Sequence, residues 1–438
     1  MKAREVVLLL LIIGIGVTVY FAKTGKLDIE WHDEGFFSLG RGEEFVFQES
    51  QEISAPLPLQ LQVNNAHGGV VVRGVETDKI TIVFTKTIYR RTREAAQTVA
   101  NQLKMTVDRN DARLILSTNR DEFKRKNFET HFEISAPKGF ELGIKNSYGL
   151  VKAVGTGSTD IANPHGQVEA ADIAGRLVID NSYEDVSILG AGADCRVTSP
   201  HSNVTANGVQ GEFVLDHSYG NVEIENIAKK TIVRGSHSQV KGKSLKAEVE
   251  IETSYEPVGL IDVGPATIRG HHSDIEASGI LGPLSITDNY ARLVLSNVKG
   301  DLKIDGTNME IRADSVEAEN IDIATSYENV EVLGFTGRTT IRMSHGDLVL
   351  EPEAVTGPID VQAEYAAIRF GWPEGGRFPF EGRTKSARVL WNLAERPSLE
   401  ETNGVSVTKA FLEETGKPSI ALSTSYADIR VVEKRAAR

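Results

Sequence analysis

The chain has 438 residues, 40% of them apolar and 25% charged, with 40 Gly but only 14 Pro, 4 Met and 3 Trp. That balance excludes a largely disordered chain and favours many short turns between strands over packed long helices. The 48 Lys and Arg stand against 61 Asp and Glu, and the resulting charge of −13 repels phosphate backbones, so nucleic acid is excluded as the expected partner.

In chain order, Lys2 and Arg4 precede seventeen uncharged residues, Val6 to Ala22. As a helix this run spans about 26 Å, near the lower limit for a hydrocarbon core of about 30 Å. A cleaved secretory signal is the rival reading. However, the run ends Val19-Tyr20-Phe21-Ala22-Lys23, without small residues before a cut and with an aromatic pair suited to a membrane interface. Residues 1–26 are therefore read as a cytoplasmic tip and transmembrane signal anchor. The body is expected outside the cytoplasm, periplasmic or on the cell surface, touching the membrane through residues 6–22.

Residues 27–139 read as an N-terminal β region that caps a repeat array. Within it Leu61 to Gly74 sets out a strand grammar around His67, and Arg93 to Met105 reads as a short helix inserted across the body. Two basic clusters, Arg90/Arg91/Arg93 and Lys124/Arg125/Lys126, can meet lipid headgroups or an acidic glycan. Each lies beside acidic residues, which favours a solvated face.

From residue 140 a short phrase returns: Asn146-Ser147-Tyr148, Asn181-Ser182-Tyr183, His217-Ser218-Tyr219, Thr253-Ser254-Tyr255, Asp288-Asn289-Tyr290, Thr325-Ser326-Tyr327, Ala363-Glu364-Tyr365 and Thr424-Ser425-Tyr426. Between Tyr148 and Tyr365 the tyrosines are 35 to 38 residues apart. Midway between them stand His165, His201, His237, His272 and His345, with Asn308 once in place of histidine. The unit is thus 17 to 20 residues long, the period of stacked supersecondary units.

Four residues before each Tyr or His the chain is aliphatic, as at Ile179, Val197 and Leu215, and three after it is aliphatic again, as at Val186, Val204 and Val222. Apolar neighbours two positions further out give strand alternation. The two inward sets are seven residues apart. An odd spacing cannot be bridged by continuous alternation, so the ring residue marks a corner. Each unit reads strand, corner, strand and Gly-rich return, one rung of a β-solenoid, and the fold class is all-β.

Five residues after the ring, large and small side chains alternate from rung to rung (Ile188, Ala206, Ile224, Gly242, Leu260, Ala277), as stacked neighbours require to fill a narrow core. Ala153 and Leu350 break the rule near the two ends. Some fifteen rungs predict a rod about 70 Å long. Cys195, the single cysteine, excludes an intramolecular disulfide and reads as a small buried hydrophobe. The regular array covers 140–370, and 371–438 reads as an irregular C-terminal cap with a last rung around Tyr426.

Val63 to Gly74, the step Ile134-Ser135-Ala136-Pro137-Lys138-Gly139, and the closing Ser423-Thr424-Ser425-Tyr426-Ala427-Asp428-Ile429 together resemble the bacterial "putative adhesin" family, a surface-associated domain. The likeness covers nearly everything after residue 50. It implies a β-solenoid on a bacterial envelope and carries no catalytic residue across. The Tyr and His corners depart from it, since glycine is common there in the family.

Shared metal ligation by the histidine row is excluded by spacing: two rungs are about 9.6 Å, against about 2.0–2.1 Å from nitrogen to zinc. Adjacent His271 and His272 are expected to point to opposite faces. Gly242-Lys243-Ser244 lacks the earlier glycine of a phosphate loop, because that position is His237. No cofactor is expected. The tyrosine and histidine rows read as a structural ladder that can double as a binding stripe. The expected role is a membrane-anchored adhesin or envelope scaffold meeting an envelope protein or a glycan. The enzymatic alternative is a polysaccharide lyase or hydrolase on a similar rod, which needs clustered carboxylates that the outward positions do not show. A further alternative is an envelope signalling partner.

Overall fold

The computed structural model describes residues 42–110 and 112–434. The apolar run 6–22 and the rest of 1–41 lie outside them, and no helix among the described residues is long and apolar enough to cross a membrane. The body is an all-β solenoid of about 13 turns with about 3% helix.

Rungs pair in parallel. The strand Val186–Ala191 pairs with Val204–Val209, which pairs with the second half of Phe213–Glu225, so Val186, Val204 and Val222 share one register. None of the three is more than 1% exposed. Removing each from water stabilises the fold by about 1.5–3 kcal/mol. The size alternation follows the same ladder: Ile188, Ala206, Ile224, Gly242, Leu260 and Ala277 are successive register partners. A Cβ on Gly242 would stand 2.8 Å from a Leu260 methyl carbon and 2.9 Å from a Leu245 one, so two leucines already fill its space.

The return segment is more defined than its glycine content foretells. In the eleven rungs from Tyr148 to Tyr327, a second left-handed corner stands seven residues after the first: Gly155, Asp172, Gly190, Gly208, Asn226, Ser244, Asp262, Gly279, Asn297, Ser315 and Gly334 all have positive φ. These residues tolerate that region best or bond locally within it. The next residue turns inward, adding a third buried column through Ile173, Ala191, Val209, Ile227, Leu245 and Val263.

Both ends depart from sequential stacking. The rung formed by Gln60–Asn64 and Val70–Val75 sits between Arg113–Thr118 with Phe128–Pro137 on one side and Glu141–Lys145 with Val151–Val154 on the other. The last rung, Ile420–Ser425 and Ile429–Glu433, is likewise held between Ile359–Trp372 and the pair Phe380–Lys385 and Val389–Asn392. Beyond these, pairing turns antiparallel: Phe128–Pro137 meets Ile80–Arg90, which meets Glu43–Ile53, and Phe380–Lys385 meets Val405–Ala410. Antiparallel closure ends the parallel stack that would otherwise offer its edge.

The inserted helix spans Arg93–Gln102, three residues shorter than the expected stretch. Thr92 caps it by accepting the Ala95 N–H at 3.3 Å. Ala96 and Ala100 pack against Ile88, Leu103 and Phe128, so the helix rests on the flank of the antiparallel cap. Buried Lys86 donates to the Ala100 carbonyl at 3.0 Å and pairs with Glu49. Arg90 donates to the Asn127 carbonyl at 3.1 Å, which sets the two basic clusters side by side, with Glu43 the register partner of Arg90.

Candidate functional site

The thirteen ring residues singled out from the repeat form one column along the first corner. His67, Tyr148, His165, Tyr183, His201, Tyr219, His237, Tyr255, His272 and Tyr290 stack in that order. Tyr327, His345, Tyr365 and Tyr426 continue the column beyond Asn308. Neighbouring centroids are 4.5 to 5.7 Å apart and ring planes diverge by 7° to 24°. Sequence position groups His67 with the N-terminal cap, but the threading of the first rung places it next to Tyr148 as a full member.

The backbone explains why rings project outward. From Tyr219 onward the ring residues hold φ values of 51° to 71°, the left-handed region that costs an L-residue roughly 1–2 kcal/mol. Parallel ring pairs return about 0.5–1.5 kcal/mol each beyond their burial. The left-handed turn swings the side chain off the strand face. The tyrosines from Tyr219 onward are accordingly 52% to 60% exposed, and Tyr148 and Tyr183 project outward to 45% and 57% without that turn. Except beside Asn308 and at the last rung, rings cover their faces above and below, so solvent meets mainly edges and hydroxyls.

Two residues before many of the rings lies a buried polar side chain, at Asn146, Asn163, Asn181, Ser199, His217, Thr253, Asp288, Thr325 and Thr424, which the repeated phrases contain but whose role period-two reading does not assign. Asn146 Nδ2 donates to the carbonyls of Gly68 and Tyr148. Asn163 serves Gly149 and Gln167, and Asn181 serves Asn163 and Gly166. These amides satisfy carbonyls freed where the strand bends. At the same position His217 Nε2 donates to the Ser202 carbonyl at 2.8 Å while Nδ1 lies 2.8 Å from the Ser238 hydroxyl. Burial lowers its pKa, helped by His201 and opposed by the Ser202 bond. Asp288 is fully buried, with one carboxylate oxygen unpartnered. A Cβ on Gly270 of the preceding rung would overlap it, so only glycine leaves room. Burial raises the Asp288 pKa, against N–H donors from Asn289, Ser273 and His272 and the nearby His271.

Two residues after the ring, an outer row ties rungs together. Asp185 accepts the Asn203 N–H, Asn203 accepts that of Asn221, and Asp274 accepts that of Arg292, at 2.9 to 3.2 Å. His271 and His272 do not diverge as strand neighbours would. Their rings meet edge to face at 4.2 Å, because His272 sits in the left-handed corner. Cys195 is buried at an inward position, and burial pushes its thiol up to about 12.

The family model described as Toastrack DUF4097 matches residues 58–432. Among solved structures, one described as a "putative cell adhesion protein" from Clostridium sporogenes ATCC 15579 is similar at 6% sequence identity. The match covers 89% of this chain and 100% of that one with a TM-score of 0.15. No curated protein matches.

Proposed function

The chain belongs to the Toastrack DUF4097 family, and from that membership we propose that it is a non-catalytic binding rod, held to a membrane by residues 6–22 with its body outside the cytoplasm. The observation that carries the reading is the ring column. An exposed aromatic stripe running most of the length of a rod about 60 Å long is a surface built for lateral contact, since isolated monomers rarely expose such stripes without use. Carboxylates on the outer faces support a binding role over a hydrolytic one, because many stand in cross-rung ion pairs: Glu169 with Lys152, Glu331 with Arg312, and Glu351 with Arg369. The basic clusters support the orientation. They gather at the end where Glu43 enters the fold, the end closest in sequence to the anchor.

Fractionation tests the anchor and the side on which the body lies. The full chain is expected in membranes after alkaline carbonate washing, and its body is expected to be digested by protease added to intact spheroplasts. A carbonate-soluble or protease-protected body contradicts the reading. Incubation with isolated envelope polysaccharide tests the activity: retention of the polymer without oligosaccharide release is expected, and release abolished by a single carboxylate substitution would assign an enzyme instead.

A further inference from the structure

The ring column is interrupted once inside the array, at Asn308, which the strand register sets between Tyr290 on one side and Tyr327 on the other. Tyr290 is covered on its other face by His272 at 5.0 Å, and Tyr327 on its other face by His345 at 4.9 Å. Each tyrosine therefore has no ring stacked on the face it turns toward the gap. Two strand steps separate them, about 9.6 Å. A guest ring midway would lie about 4.8 Å from each, within the 4.5 to 5.7 Å that the column uses throughout. The gap is one ring thick.

Asn308 is too short to fill it. An asparagine amide ends near the level where a tyrosine ring begins, so it floors the slot while the outer halves of Tyr290 and Tyr327 form its walls. The amide makes no side-chain hydrogen bond among the described residues, and it is partly open to solvent. Beside it, Asn289 Oδ1 accepts both the backbone N–H and the hydroxyl of Thr307, at 3.0 and 2.8 Å, forming a polar shelf along one edge.

We propose that the slot between Tyr290 and Tyr327 binds a single pyranose ring of a glycan, with the Asn308 amide bonding its hydroxyls. A pyranose presents C–H faces to both tyrosines and hydroxyls around its rim, matching two apolar walls and a polar floor. An aromatic side chain would fit the thickness but press hydrocarbon onto the Asn308 amide, leaving donors and acceptor unpaired. The assignment rests on the reading of the rod as a binding module for its setting, while the slot itself is testable on the isolated chain.

The test is saturation-transfer NMR with the full chain in detergent, titrated with cellobiose and N,N′-diacetylchitobiose, with N-acetyl-tyrosinamide as the aromatic probe. Millimolar binding of at least one disaccharide is expected. Asn308→Tyr supplies the missing ring and is built to fold, because tyrosine occupies the same corner elsewhere. It should weaken disaccharide binding by about tenfold or more, the loss of roughly 1.4 kcal/mol, with an unchanged or raised melting temperature. Undetectable binding of both sugars by the native chain, or binding unaffected by Asn308→Tyr, overturns the proposal. Binding of N-acetyl-tyrosinamide alone, lost in Asn308→Tyr, reassigns the slot to an aromatic side chain. A membrane or polymer-retention failure in the full chain with the slot intact would instead count against the wider rod reading.

Discussion

Two buried groups at equivalent inner-corner positions should give the protein opposing pH dependences. His217 has its folded pKa lowered by burial. The unfolded chain therefore takes up a proton first, and stability is lost as pH falls below about 6.5 toward the lowered folded value. Asp288 has its folded pKa raised by burial, so the stability it contributes is present below about 3.9 and lost as pH rises through the raised value. Thermal melts separate the two. Asn146, Asn163 and Asn181 occupy this position in other rungs, which makes asparagine a tolerated replacement. The melting temperature of Asp288→Asn relative to native should rise as pH increases from about 4, and that of His217→Asn should rise as pH decreases below about 6.5. A pH-independent offset in either variant would contradict the assignment. The ring residues give a second expectation at this scale. With Tyr219 at φ 59°, Tyr219→Gly removes backbone strain along with stacking and should cost no more than about 1 kcal/mol, whereas β-branched Tyr219→Val keeps the strain and should cost about 1–2 kcal/mol more. Denaturant melts giving the reverse order would show that the corner is not strained.

Within a rung, the two aliphatic columns and the ring corner were legible because their spacing is rigid and odd: Ile179, Tyr183 and Val186 cannot share one alternating strand. Neighbouring rungs were legible from size alone, since Ile188 beside Ala206 makes sense only if the two touch. What the sequence concealed was the second corner. Gly190, Asn226 and Ser244 look like an ordinary loop, because left-handed tolerance is shared by several small polar residues and leaves no single-letter signature. The inner-corner Asn, Ser, His and Asp were visible in the repeated phrases but carried no periodic apolar signal that would mark them as buried. The touching pair itself can be tested. Ile188→Ala should destabilise by about 2–5 kcal/mol through an unfilled cavity. Ala206→Leu should destabilise by about 1–3 kcal/mol through overpacking. The double variant, in which the added leucine enters the space left by the isoleucine, should cost at least about 1 kcal/mol less than the sum of the two. Additive costs would mean that these side chains do not meet.

For the whole molecule, sequence order and spatial order agree through the array and part at both ends. His67 and Tyr426 each belong to a rung held second from the end by a segment from further along or further back in the chain. No local pattern encodes such threading, because the strands Arg113–Thr118 and Phe380–Lys385 alternate like any others. The consequence is that neither cap can peel away without releasing the rung beneath it, and the array ends in antiparallel strands at both ends. The gap at Asn308 is likewise a property of the assembled column: only when Tyr290 and Tyr327 are known to face each other across it does one asparagine become a slot.

Stacking of consecutive turns is tested most directly by pulsed electron–electron distance measurements between spin labels on outward positions of one face. Native Cys195 is buried and unreactive, so labels can be placed on Ser187→Cys paired with Glu276→Cys, and on Ser187→Cys paired with Arg312→Cys. Register places these pairs five and seven rungs apart. The expected backbone separations are about 24 Å and about 34 Å, each additional rung adding about 4.8 Å. Narrow distributions that grow in this linear way are the predicted result. Distances that fail to increase with rung number, or that are shorter for the seven-rung pair, would contradict the solenoid and every contact derived from it.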